Sequence, residues 1–299
     1  MSIDVAQEVC FLFQNGVGII GNSLLNMLYL SSFLLGSKPK PTDLVIIHLA
    51  IVHTVMLLTR WITRTAGILG LWLLRTNTEC KLFAYVYRIT RGLSICITSL
   101  LSVVQAITIS PTTAYFFQLK VHIPTFILPV LAILWIPNML ISTNLLYQVV
   151  ASHNATSIEG NCYIVPLNKL LEGQILTFMA LRDIPSLGLM SCSSGYMILR
   201  LHRHRHQVKH LHSNSQAHKT SPERRATETI VLLVSCFVVF YCGDFVLSLF
   251  IATSMKNNII FLNISMFVVS GYATVSPFVL LTCDRRVIKF LGDFLRNKT

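Results

Sequence analysis

The side chains of greatest chemical interest are Tyr87, Arg88, Arg91, Arg182, Asp183 and Asp244, all set in long apolar stretches. An ionised group held at membrane depth costs about 2.5–3.5 kcal/mol by insertion measurements, so those retained face a bundle interior or a wet cavity. Arg88 and Arg91 are three residues apart and Tyr87 lies four before Arg91, so one broad helix face can carry all three. With Arg60 and Arg64 nearby, the guanidinium groups outnumber Asp183 and Asp244. That surplus favours an acidic or strongly polar ligand headgroup, which a guanidinium grips through paired hydrogen bonds. A salt-bridge network that only holds helices together fits the same residues equally well. No carboxylate pair, nucleophile with base or metal-ligand cluster occurs at membrane depth, so neither catalysis nor a metal or other cofactor is expected.

A second cluster, between Arg200 and Arg225, holds His202, His204, His206, His210, His212 and His218. Alternating imidazoles can bind zinc or copper, but no cysteine or carboxylate completes a set before Glu223. The competing reading is a flexible, cationic loop beside anionic lipid and a protein partner.

The elements that must position these groups follow from hydropathy. Of the 299 residues, 53% are hydrophobic and 12% charged, with a mean hydropathy of +0.64, too apolar for a single water-soluble core. A helix crosses the hydrocarbon in about 20 residues. Apolar stretches at 11–35, 42–66, 82–109, 124–147, 175–199, 226–252 and 259–282 predict an all-α membrane protein, a single seven-transmembrane helix bundle over residues 1–299. Pro39 and Pro41 mark a tight turn between the first two spans. Pro124, Pro129 and Pro137 sit in the fourth, where a membrane bundle accepts the kinks. Past Cys283, the apolar residues Val287, Phe290, Leu291 and Phe294 recur at helical spacing among basic ones. They predict a short amphipathic C-terminal helix on the membrane surface, against the alternative of a solvated tail.

Basic residues orient the bundle. Of the 24 Lys and Arg, seven fall between Arg200 and Arg225 and five follow Cys283, with Lys38, Lys40 and Lys120 in other connections of the same side. Short cytoplasmic loops retain such residues, so the N-terminus is expected outside and the C-terminus inside. The net charge of +12 is thereby explained by membrane topology and not by nucleic acid. The first ten residues carry Asp4 and Glu8 but no basic residue, so the first span reads as an uncleaved anchor. Cys80 and Cys162 then both lie outside, where they either form a disulfide or stay as two free thiols. Asn154-Ala155-Thr156 offers a glycosylation site in the same outer loop, whereas the Asn263 sequon lies too near the last span.

The third span carries Arg91-Gly92-Leu93-Ser94-Ile95-Cys96 and Leu101-Ser102-Val103-Val104-Gln105-Ala106-Ile107-Thr108-Ile109-Ser110-Pro111, followed by Gly195-Tyr196-Met197 with Leu201-His202-Arg203-His204. Ser221-Pro222-Glu223 with Arg225-Ala226-Thr227, and Tyr272-Ala273-Thr274-Val275-Ser276-Pro277, come next. In this order the segments resemble the vomeronasal type 1 receptors over nearly the whole chain. The resemblance implies a plasma-membrane receptor of vomeronasal sensory neurons that takes a small pheromone-like ligand and couples to a heterotrimeric G protein of the inhibitory class. The G protein would meet Ser110, Pro111, Arg203, Arg205, Arg224 and Arg225. Within the wider rhodopsin-like superfamily, Gly21-Asn22, Trp135 and the Cys80 and Cys162 pair look familiar. However, His53 stands where many relatives carry a sodium-binding aspartate, Gln105-Ala106-Ile107 replaces Asp-Arg-Tyr, and Ser276-Pro277 replaces Asn-Pro. The sodium site and ionic lock are therefore not carried over.

A transporter or ligand-gated channel is the alternative, since buried charges also line ion paths, but no internal repeat or pair of glycine-broken helices supports it. A retinal photoreceptor would need a lysine in the seventh span, and there is none.

Overall fold

The computed structural model describes residues 3–36, 40–69, 76–111, 114–151, 162–165, 168–211, 235–247 and 259–283. Its helices are α1 (Ile3–Leu34), α2 (Pro41–Leu69), α3 (Asn77–Ile109), α4 (Ala114–Ser142), α5 (Leu145–Gln148), α6 (Lys169–Leu211), α7 (Ser235–Leu247) and α8 (Ile259–Cys283). The chain is a multi-pass membrane protein. Among the described residues six helices are long and apolar enough to cross a bilayer, and α7 is a shorter apolar helix inside the expected 226–252 span. The expected surface helix after Cys283 and the sequon at Asn154 lie outside the described residues.

α3 is the central helix. It packs against α2, α4 and α6, while α1 lies between α2 and α8. A run of α3 from Ile89 to Ser99 is buried on nearly every side, with Leu93 and Ile97 fully enclosed. α4 touches the bundle along one stripe, Ile127, Leu131, Asn138 and Ser142, at spacings of four and seven residues. Its prolines Pro124, Pro129 and Pro137 are all exposed, outside that stripe.

Local chemistry explains the helix ends. α1 stops where Gly36 adopts φ +87°, with the Leu35 N–H donating to Ser31 O and the Gly36 N–H to Phe33 O, both at 3.0 Å. α2 opens on Pro41, whose missing N–H is harmless in a first turn. A capping box starts α3: the Glu79 N–H donates to Thr76 Oγ1 at 3.3 Å and the Thr76 N–H to Glu79 Oε2 at 3.0 Å.

α1, α3 and α6 begin eight, five and six residues before the expected starts, and the structure departs from expectation in three further ways. First, α6 continues past residue 199 to Leu211, so His202 to His210 stand on a helix and not in a flexible loop. That segment has no proline or glycine, and its Arg, Lys and Gln are good helix formers. Second, α4 begins at Ala114, ten residues before the expected start, and it ends at Ser142 in a turn that leads to α5. Third, the all-α expectation omits a two-stranded antiparallel sheet in which β1 (Val149–Ala151) pairs with β2 (Cys162–Ile164), Val149 opposite Ile164 and Ala151 opposite Cys162. β-branched and aromatic residues favour that pairing. The Cys80–Cys162 disulfide ties the hairpin to α3, with Cα atoms 5.6 Å apart, and the Ala151 N–H donates to Asn77 Oδ1 at 2.7 Å.

α1 and α8 meet at a proline. Pro277 in α8 has no N–H to offer the Ala273 carbonyl one turn before it. Asn22 of α1 supplies the donor, its Nδ2 lying 2.9 Å from Ala273 O and 2.8 Å from Gly18 O. Gly21 permits the approach, since a Cβ there would stand 3.0 Å from Pro277 Cγ.

Candidate functional site

The ionisable residues singled out in the sequence lie in the half of the bundle nearer the disulfide, in separate pairs. Asp244 on α7 forms an ion pair with Arg91 on α3, and its side chain is 6% exposed. On α6, Arg182 Nε donates to its neighbour Asp183 at 2.7 Å, while Nη1 reaches Asn138 Oδ1 on α4 at 3.2 Å. Arg88 Nη1 donates to Asn144 Oδ1 at 3.1 Å, just past the end of α4. Asn144 is held in turn by donating to Gln148 Oε1 at 2.6 Å.

Tyr87 turns the other way, toward α2, and the Arg60 guanidinium lies over its ring, 4.4 Å from the centroid. The three neighbouring α3 side chains thus fan out: Tyr87 to α2, Arg88 to the α4–α5 turn, Arg91 to α7. Arg64 grips Glu8 of α1 through both of its contacting nitrogens. Three of the arginines therefore sit on carboxylates, and the positive surplus comes down to Arg88 and Arg60, which have hydrogen-bond and ring partners of no net charge.

Gly92, next to Arg91, has a steric role. A Cβ at that position would collide with Asn138 Oδ1 and the Arg182 guanidinium, so a larger residue would push the α4 and α6 groups away from α3.

Beneath the charges lies a neutral hydrogen-bond network that joins four helices. His53 of α2, fully buried, shares hydrogen bonds with Ser94 Oγ of α3 at 2.6 Å and Ser276 Oγ of α8 at 3.2 Å. Ser94 shares a second one with the Tyr241 hydroxyl of α7 at 2.6 Å. Thr98 and Tyr272 pair at 2.8 Å. The rings of His53 and Phe237 meet Tyr272 edge-on, at centroid distances of 5.0 and 4.3 Å.

Between the ion pair and this network is a cavity of about 10 Å³, room for one water molecule at the lower limit. Arg91, Ser94, Tyr241 and Asp244 form its polar wall; Met56, Phe240, Val268, Val269 and Tyr272 form the apolar one. One oxygen, Asp244 Oδ1, is buried there without a hydrogen-bond partner. An orphaned acceptor of this kind costs about 1–3 kcal/mol, more when charged.

Sequence reasoning weighed only ionisable groups, so it missed Asn138, Asn144 and the Ser94–Tyr241 link. The available signal was the presence of uncharged polar residues within apolar runs, Asn138 next to Pro137 among them.

At the other end of α3, Ser110 is buried. Its hydroxyl shares a 2.8 Å hydrogen bond with the Tyr196 hydroxyl of α6, and Lys120 Nζ of α4 donates to its carbonyl at 2.7 Å. Arg200 Nε donates to Tyr196 at 3.2 Å. Pro111 and Arg203 are exposed and Arg205 lies on α6, whereas Arg224 and Arg225 lie outside the described residues.

The model of the vomeronasal organ pheromone receptor family matches residues 5–293. Similar proteins include vomeronasal type-1 receptor 100 of Rattus norvegicus, 37% identical over 286 residues, covering 94% of this chain and 87% of that protein. Vomeronasal type-1 receptor 90 of the same species is 36% identical over 298 residues, 97% of this chain and 95% of that protein. Vomeronasal type-1 receptor 46 of Mus musculus is 36% identical over 294 residues, 96% and 94% of the two chains.

Proposed function

We propose, from the premise that this chain belongs to the vomeronasal organ pheromone receptor family, that it binds a small pheromone-like molecule within the bundle and activates an inhibitory-class heterotrimeric G protein. The N-terminus and the Cys80–Cys162 hairpin face the exterior, and the end of α3 at Ser110 faces the cytosol. One observation carries the reading: charged groups from α3, α6 and α7 gather within the apolar bundle, below the hairpin, at a depth where each costs free energy to insert.

Arg88 is the cation best placed for an acidic or strongly polar headgroup, because its protein partner is the neutral Asn144 and not a carboxylate. Ligand would favour a bundle in which the Arg91–Asp244 contact is rearranged, shifting the population toward a form open at the Ser110 end. The partner then meets Pro111 and the basic surface of Arg203, Arg205, Arg224 and Arg225.

The test is nucleotide exchange on purified inhibitory-class G protein, with the full-length receptor in lipid nanodiscs and a chemical library of acidic and neutral apolar compounds. Agonist-dependent exchange is expected. Neutralising the four arginines 203, 205, 224 and 225 should weaken exchange and leave ligand binding intact, and full exchange in that variant rejects the proposed contact. Ligand-gated current from the receptor alone in liposomes would instead support a channel.

A further inference from the structure

We infer that the deep end of the ligand site is a hydroxyl subsite: Asp244 Oδ1 accepts a hydrogen bond from a neutral alcohol group carried on an apolar body. The inference rests on the receptor reading above and adds to it the chemical class of the ligand's buried end.

Three observations on the cavity agree. Asp244 is 4% exposed; its Oδ2 is taken by Arg91 while Oδ1 has no partner. What Asp244 Oδ1 lacks is therefore a donor. The two hydroxyls of the wall are committed elsewhere, because Ser94 and Tyr241 bond to each other and Ser94 also to His53. Second, the space is about 10 Å³, which admits one oxygen-sized group. A carboxylate, phosphate or sulfate group is too large and would set an anion against the aspartate. Third, charge is already balanced: Asp244 is paired with Arg91, and Arg88 and Arg182 stand on the same side of the bundle, so an ammonium group gains little. A hydroxyl meets all three conditions.

The apolar wall receives the rest of the molecule. Met56 is flexible and can make way. Phe240 is half-buried and lies close to α8, where a Cβ on Gly271 would come within 3.0 Å of its Cε1. An acidic group on the ligand's other end could still reach Arg88, so the two ends are separately testable.

The experiment is thermal stabilisation of the purified full-length receptor by matched probes. Each probe is a saturated ring or chain skeleton carried as the free alcohol and as its methyl ether, with and without a carboxylate at the far end. The wild type is expected to be stabilised by the alcohols at concentrations roughly tenfold or more below those of the ethers, the effect of one hydrogen bond to a charged acceptor. In Asp244→Asn, Arg91 holds the amide oxygen and the amide NH₂ faces the cavity, so the alcohol-to-ether ratio falls to about one. If Asp244→Asn does not fold, Val268→Phe, which fills the apolar side and leaves the aspartate in place, is expected to abolish stabilisation by the alcohols. Equal potency of alcohols and ethers on the wild type, a preference that survives Asp244→Asn, or no stabilisation by any probe overturns the inference. Nucleotide exchange measured in parallel separates the two readings. Alcohol-selective stabilisation without exchange rejects the receptor reading alone; exchange driven by probes without alcohol selectivity rejects the hydroxyl subsite alone.

Discussion

Asn22 of α1 donates to the Ala273 carbonyl, 2.9 Å away, that Pro277 leaves without a helical donor. The side chain of one helix thus repairs the backbone of another, and the Ser276 hydroxyl, at 3.5 Å, is a poor substitute. Asn22→Ala should lower the thermal stability of detergent-solubilised receptor by about 1–3 kcal/mol, the cost of a buried unsatisfied carbonyl. Pro277→Ala in the same background restores the N–H and should recover part of the loss. Absence of any rescue would mean that the Asn22 contact acts in some other way.

The Arg91–Asp244 pair behaves as a unit. Removing one partner strands a buried charge, at about 3–5 kcal/mol, whereas removing both leaves only a cavity. Arg91→Leu and Asp244→Leu should each reduce surface expression more than the two combined. Additive losses in the double variant would show the two side chains to be energetically independent.

Gly92→Ala should destabilise the bundle although alanine is the better helix former by about 1 kcal/mol. The added methyl group must displace Asn138 or Arg182, both held by hydrogen bonds. Melting of the purified variant checks this, and Gly195→Ala serves as the control, because nothing lies within 4 Å of a Cβ at Gly195.

Cys80→Ser and Cys162→Ser should have the same effect, singly or together: loss of about 2–5 kcal/mol, since the bridge spans 82 residues. Non-reducing peptide mapping of the wild type should recover the cross-linked pair. A double variant much worse than either single one would count against a shared bond.

Much of the bundle was legible in the sequence because lipid solvates it: any run of apolar residues long enough to span shows in hydropathy. Helix ends were less legible. α6 passes from apolar to basic residues at Arg200 without a breaker, so its last turns follow from propensity and not from the membrane. The β1–β2 hairpin depends on partners brought together by a cross-link, which no local pattern announces. At the site, the cost of burying charge drew attention to Arg88, Arg91, Arg182, Asp183 and Asp244, but which arginine meets which acid depends on helix rotation. Tyr87 shows this best: three residues from Thr90 and four from Arg91, it nevertheless points toward Arg60 on a different neighbour. Neutral groups such as Asn138, Ser94 and Tyr241 stayed hidden because their burial is cheap enough to pass for ordinary packing.

The two ends of α3 are fastened by different kinds of link. At Cys80 the attachment is covalent and does not exchange on the timescale of signalling, while at Ser110 it consists of hydrogen bonds to Tyr196 and Lys120 that water can replace. A rod riveted at one end and laced at the other has its weaker fastening at the lacing, where α4 and α6 meet the Ser110 end.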